Sequence, residues 1–245
     1  MSIPKEALTA HRVLLSASVL ALAAAAWVAL WTAAGSAHAS IHHHHAAAFG
    51  ADRTSLPLVL FFVGSWTIMT VAMMLPTTLP LLLTFDAIAR NRLDRVFLVA
   101  LVIVGYLLAW SLFGAVVYFG QLAARQIAIG GSGILVLAGL YQFTPLKHRC
   151  LDKCRSPLSF VIEHWRGRHD RWHALRLGID HGLFCLGCCW ALMLLMFVIG
   201  AANVAWMLLL GLVMAVEKNT RWGRHLTAPL GIALLAWGGG ALVFL

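Results

Sequence analysis

Between Gly178 and Gly200 the chain reads GIDHGLFCLGCCWALMLLMFVIG, an apolar run that carries His181, Cys185, Cys188 and Cys189. Residues three and four apart share one face of a helix. His181, Cys185 and Cys189 follow that spacing, Cys188 lies beside them, and Met193 and Met196 continue the face. One imidazole, three thiols and two thioethers make up the donor set that soft and borderline ions such as Cu(I) and Zn(II) prefer. A single Cys or Met in such a helix is packing. Three thiols and an imidazole on one stripe point to metal or thiol chemistry instead. Adjacent thiols on a helix are poorly placed for a disulfide because their Cβ vectors diverge.

Further donors lie in three other stretches. In LPLVLFFVGSWTIMTVAMMLPTTLPLLLTF, Leu56 to Phe85, Met69 and Met73 share a face and Met74 stands just before Pro76. Pro76 and Pro80 must bend or unwind a helix, and irregular backbone at membrane depth is tolerated only beside protein or a cavity. The break is therefore expected to face the Cys stripe and to bring Met73 or Met74 to it. KHRCLDKCRSP sets Cys150 and Cys154 one helical turn apart, with His148 nearby. Finally, His42, His43, His44 and His45 form an unbroken run. Such a run reads equally as a metal-collecting segment or as a solvated loop. Asp180, one turn after Arg176, reads as half of a helix-end ion pair.

The elements that carry these residues are apolar helices. The chain has 245 residues, of which 61% are hydrophobic and only 11% charged. Soluble domains carry about 25% charged residues, so the expected fold is an all-α, polytopic membrane bundle forming one domain. About seven spans are expected: Val13 to about Ala34, Leu56–Phe85, Val96 to about Ala123, Ser132–Thr144, Gly178–Gly200, Val204–Val216 and His225–Leu245. The first run is longer than the 7–15 residues usual for a signal-peptide core and reads as a retained helix. Residues 35–56 form a His-rich outer loop. Residues 147–176 form an inner basic segment with the Cys pair, followed by an amphipathic surface helix through Val161, Trp165, Trp172 and Leu175. His164, His169 and His173 on that helix read as surface residues. With the N-terminus in the cytoplasm, 16 of the 18 Lys and Arg fall on the inner side, only Arg53 and Arg125 outside, as the positive-inside rule requires. The net charge of +9 then reflects inner loops, and with no basic-aromatic groove no nucleic-acid partner is expected. The place is the cell membrane, the inner membrane in a bacterium. In a reducing cytosol, structural disulfides among inner cysteines are not expected.

Four motifs, AMMLP at 72–76, YQFTPLKHRCLDKCRSP at 141–157, GLFCLGCCWALM at 182–193 and MAVEK at 214–218, together resemble the predicted metal-binding integral membrane protein family. The resemblance spans Leu56 to Lys218. It implies a multi-helix membrane protein with a role in copper handling, and supplies no reaction. On the matching positions it points to Met73, Met74, Gln142, Cys150, Cys154, Cys185, Cys188, Cys189, Met193 and Glu217. His181 and the His42–His45 run come from residue chemistry alone.

The leading expectation is a membrane protein that binds a soft transition metal, copper before zinc, and helps its transport or delivery. Its surroundings are the lipid bilayer and a metal-delivery partner protein. Two alternatives remain open: a membrane thiol oxidoreductase coupled to quinone, and a non-catalytic assembly subunit whose Cys and Met are packing.

Overall fold

The computed structural model describes residues 5–40, 55–127, 131–165, 170–199 and 203–243; the His42–His45 run lies outside them. Among the described residues the chain is helical throughout, with no strand. The helices are α1 (Lys5–Ser40), α2 (Leu56–Met73), α3 (Leu79–Ile88), α4 (Arg95–Ile127), α5 (Gly131–Tyr141), α6 (Pro145–Arg155), α7 (Pro157–His164), α8 (Asp170–Leu194), α9 (Met196–Ile199), α10 (Val204–Asn219) and α11 (Thr227–Val243). Four segments are long and apolar enough to cross a membrane: Ala10–Ala34, Leu56–Met73, Arg95–Gln121 and Arg171–Val198. The other three expected spans are shorter helices, α5 of 11 residues, α10 of 16 and α11 of 17. Apolar side chains cover the outer faces, among them Leu14, Phe61, Leu112 and Val116. Exposed apolar surface of that extent suits contact with lipid rather than water.

Helix α8 is the central element, packed against α4 and α6, while α2 joins α4 and α1, and α5 pairs with α11. Glycine permits the closest of these approaches. A Cβ on Gly178 would run into the Val102 carbonyl, and one on Gly105 into the Leu175 carbonyl. A Cβ on Gly182 would come within 2.7 Å of the Ala109 Cβ. The spacing Gly178-x-x-x-Gly182 on α8 therefore meets Gly105-x-x-x-Ala109 on α4, the small-residue crossing by which membrane helices bring their backbones together.

The expected break at Pro76 is present: α2 ends at Met73, a 3-10 turn covers Pro76–Thr78, and α3 follows. Proline at 76 leaves the Ala72 carbonyl without its helical donor. The Trp27 indole N–H of α1 takes that carbonyl at 3.1 Å. Thr77 and Thr78 turn their hydroxyls back onto the Met74 and Leu75 carbonyls, each at 2.7 Å. At the interruption between α8 and α9 the Leu195 carbonyl accepts from the Val198 N–H at 3.1 Å and takes a second donor. There the Trp206 indole donates to the Leu195 carbonyl at 3.1 Å. Backbone groups freed in an apolar setting are thus satisfied inside the protein.

The segment after α6 differs from the expected single surface helix. Helix α7 stops at His164, with Trp165 in an extended conformation, and α8 already begins at Asp170. Trp172 and Leu175 therefore belong to the long central helix. The apolar period was read across a real boundary because Trp165 packs inward, its ring edge-on to Phe85 with centroids 4.9 Å apart. Arg176 and Asp180 do pair across one turn of α8, at 3.7 Å. At the same end, Arg95 bonds Asp86 through two nitrogens at 2.8 and 2.9 Å, and His11 approaches the same carboxylate at 3.0 Å. That cluster ties α1 and α3 to the start of α4.

Candidate metal centre

The 3.6-residue period turns one face of α8 inward, and Cys185, Cys188 and Cys189 are buried there. Helix α6 lies across this face. Its first turn is fixed by Pro145 and by the Thr144 side chain, which accepts from the Lys147 backbone N–H. Cys154, near the end of α6, places its sulfur 3.9 Å from that of Cys188. Cys188 and Cys189 sulfurs are 3.2 Å apart, and the Cys188 thiol donates to the Cys185 carbonyl at 3.1 Å. Four thiols from two helices thus converge. Cys150, one turn before Cys154, packs its sulfur on Gly187 instead, and burial pushes its thiol up from the ordinary range. Sequence groups Cys150 with Cys154; in the structure Cys154 meets Cys188 while Cys150 meets Gly187.

Two residues complete the first layer around Cys185. Tyr106 Oη of α4 lies 3.0 Å from its sulfur. Lys218 Nζ of α10 donates to it at 2.9 Å. The same ammonium reaches Met74 Sδ at 3.5 Å and Thr77 Oγ1 at 3.4 Å. The broken second span thus shares the Lys218 ammonium with Cys185, through Met74 and Thr77. Met73 points to α10, where its side chain lies against Gly211.

Glu217 and Gln142 are built into a separate buried network. Lys147 Nζ bonds both Glu217 carboxylate oxygens at 3.0 Å and also donates to Gln142 Oε1. Lys147 and Glu217 are both fully buried. Arg155 closes the arrangement by donating to the Glu217 and Arg221 carbonyls. A carboxylate held in this way by an ammonium is committed to its ion pair.

His181 is buried one turn before Cys185, between the rings of Tyr106 and Phe160, with centroids at 5.9 and 5.3 Å. Its Nδ1 has no hydrogen-bond partner. Met193 is fully buried one turn beyond Cys189.

Sequence reading missed Lys218, Tyr106 and Lys147. From sequence Lys218 counts among the inner-side cations, because Glu217-Lys218 closes an apolar run. The signal was available: Met207, Leu210, Met214, Glu217 and Lys218 recur at helical period, and all five are buried. Residues 217 and 218 both continue the inward face of α10, one directed to α6 and the other to α8. Tyr106 and Lys147 carry no such local signal.

The donor chemistry suits a soft monovalent ion: thiols, a thioether and apolar walls. Around a tetrahedral ion with bonds of about 2.3 Å, sulfurs stand about 3.8 Å apart. The Cys154–Cys188 separation already matches this, whereas Cys188 and Cys189 touch. Accordingly, among the described residues no three His, Cys, Asp or Glu side chains stand in a ready-made metal-holding arrangement. Seating an ion among them needs the Cys188 and Cys189 sulfurs to part by about half an ångström, within the reach of a χ1 adjustment.

Neither a curated protein nor a solved structure matches the chain. The profile of PpoB2, described as a copper chaperone, matches residues 63–241, a stretch that contains all five cysteines, Met74, Lys147, Glu217 and Lys218. That match covers most of the chain, which therefore belongs to the PpoB2 copper-chaperone family.

Proposed function

We propose that this protein is a multi-pass membrane protein that binds copper as Cu(I) on the cluster of Cys154, Cys185, Cys188 and Cys189 and helps deliver it. The observation that carries the reading is the convergence of four thiols from α6 and α8 inside a chain of a copper-chaperone family. Met74 and His181 stand at the edge of the cluster as further donors. The N-terminus is cytoplasmic on the charge distribution, which puts α6 and the thiol cluster towards the inner side. The His42–His45 run then lies outside and would collect the ion there. Cys154 supports delivery to a partner protein, because its helix α6, of 11 residues, is too short to span the membrane.

Detergent-purified protein, loaded with Cu(I) under reducing conditions and desalted, should retain close to one copper per chain. Removing the His42–His45 run should leave that figure unchanged. Retention of no copper would refute the reading; loss of copper on removing the run alone would move the main site outside.

One observation supports a second reading. The Cys154 and Cys188 sulfurs, on different helices, are 3.9 Å apart, so a disulfide is within reach there in a way that it is not for Cys188 and Cys189. A thiol oxidoreductase would show a two-electron transition in thiol titration against redox potential, without copper.

A further inference from the structure

Where the end of α7 meets the first half of α8, the structure holds a polar pocket of about 540 Å³, lined by Glu163, His164, His173, Arg176, Asp180 and Phe184. Two imidazoles, two carboxylates and a guanidinium make a wall that suits water and ions rather than acyl chains. Glu163 is bonded to Lys153 at 2.6 Å and Asp180 pairs with Arg176 at 3.7 Å, which leaves the imidazoles as the donors of this wall for a soft or borderline ion. His164 Nδ1 lies 2.8 Å from the Phe160 carbonyl. A carbonyl only accepts, so Nδ1 carries the proton and Nε2 keeps its lone pair, the arrangement usual in metal-binding histidines. Phe160 stands behind this wall. Its ring is buried, stacked on His164 with centroids 4.2 Å apart, edge-on to Phe184 at 5.7 Å and edge-on to His181 at 5.3 Å. His181 lies one turn before Cys185, and its Nδ1 is buried without a hydrogen-bond partner. One aromatic ring therefore touches an imidazole of the pocket and an imidazole beside the thiols.

We propose that this pocket is the port through which copper on small carriers in water reaches and leaves the thiol cluster, with His164 as the outer ligand, His181 as the inner one and Phe160 as the ring between them. The inference rests on the copper-binding reading above, and leaves Cys154 for the hand-over to a partner protein. Passage is ligand exchange. A bond from copper to one imidazole nitrogen forms as its bond to the previous donor breaks, and the ion stays monovalent, so no electron moves. Among the described residues no three His, Cys, Asp or Glu side chains form a metal-holding arrangement, so the pocket passes the ion on and does not store it. Burial of the Phe160 ring keeps the route shut at rest, and a rotamer change of that one side chain brings the two imidazoles into one space. The rival opening is Cys154 itself, which is half-buried on α6.

The test uses full-length, detergent-purified protein and two readouts. In copper-free, reduced protein, mass spectrometry follows the rate at which a water-soluble methanethiosulfonate labels each cysteine. His173→Trp fills the pocket about three turns before Cys185 on α8. It should slow labelling of Cys185 relative to Cys150 at least about tenfold, a barrier raised by about 1.4 kcal/mol. Phe160→Leu, which takes the ring away, should speed it. In protein loaded with Cu(I), His173→Trp and His164→Leu should each slow transfer to a chromogenic chelator at least about tenfold, with copper per chain unchanged. Wild-type rates in either readout, in folded variants, would overturn the inference and leave Cys154 as the route. So would loss of the copper itself in His164→Leu, the mark of a residue that supports the cluster rather than the path. Should His173→Trp not fold, Arg176→Trp, at the exposed rim of the same pocket, is read by the same criteria. A wild-type protein that binds no Cu(I) would instead defeat the copper reading, while the labelling rates would still decide whether the pocket opens onto the thiols.

Discussion

Replacing Cys185, Cys188 and Cys189 together by serine should abolish copper retention, from close to one ion per chain to less than about a tenth, with the protein still folded. The three cysteines lie buried on one face of α8, with the Cys188 and Cys189 sulfurs 3.2 Å apart. Their loss leaves Cys154 as the remaining thiol of the cluster, and one sulfur does not hold a soft ion against a competing chelator. Serine is nearly the same size, so the α4–α8 crossing, which depends on Gly178, Gly182 and Gly105, should be little disturbed. Single replacements should cost less than the triple, because a neighbouring thiol can take the vacated bond. The check is metal content per chain together with circular dichroism and gel filtration. A well-folded triple variant that keeps its copper would return these cysteines to the role of apolar filling.

The largest effect on stability is expected at Lys147. Its ammonium and the Glu217 carboxylate are both fully buried, and Gln142 shares the same donor. Lys147→Met leaves a carboxylate with no counter-charge in an apolar setting. Breaking one half of such a pair costs about 3–5 kcal/mol, whereas replacing both halves by apolar groups is often neutral. Lys147→Met should accordingly lower the thermal midpoint in detergent sharply, and Lys147→Met with Glu217→Leu should recover most of it. Copper affinity of the double variant should stay near wild type, since neither residue touches the thiol cluster. A Lys147→Met protein as stable as wild type would show that water or lipid headgroups reach Glu217.

Much of this arrangement was legible in the sequence, and the part that was not has a common cause. Helical period fixed which residues of α8 share a face, and the paired prolines fixed where the second span breaks. Both are local properties of a helix. What period cannot say is which neighbouring element a face meets. Cys150 and Cys154 looked equivalent one turn apart, yet only Cys154 reaches Cys188, because that depends on how α6 crosses α8. Met73 and Met74 were equally placed beside the break, yet Met74 meets Lys218 beside Cys185 while Met73 lies against Gly211. Glu217 was expected among the metal ligands on the family resemblance; its side chain is held by Lys147, which lies seventy positions away. Lys218 was hidden for the opposite reason. A charged pair closing an apolar run usually marks the membrane surface, and here α10 keeps turning that face inward to its end. The length of the apolar runs fixed helix as the type of element, but four of the expected seven spans have full membrane length. Of the other three, α11 with 17 residues lies at the lower limit for crossing, and α10 and α5 with 16 and 11 fall below it.

The central claim is that copper is held by sulfur inside the helix bundle. X-ray absorption at the copper edge, on reduced, copper-loaded protein with the His42–His45 run removed, tests it directly. The account predicts an edge of monovalent copper and a first shell made of sulfur alone, lost in the Cys185, Cys188 and Cys189 triple variant. A first shell of nitrogen and oxygen, unchanged in that variant, would contradict it.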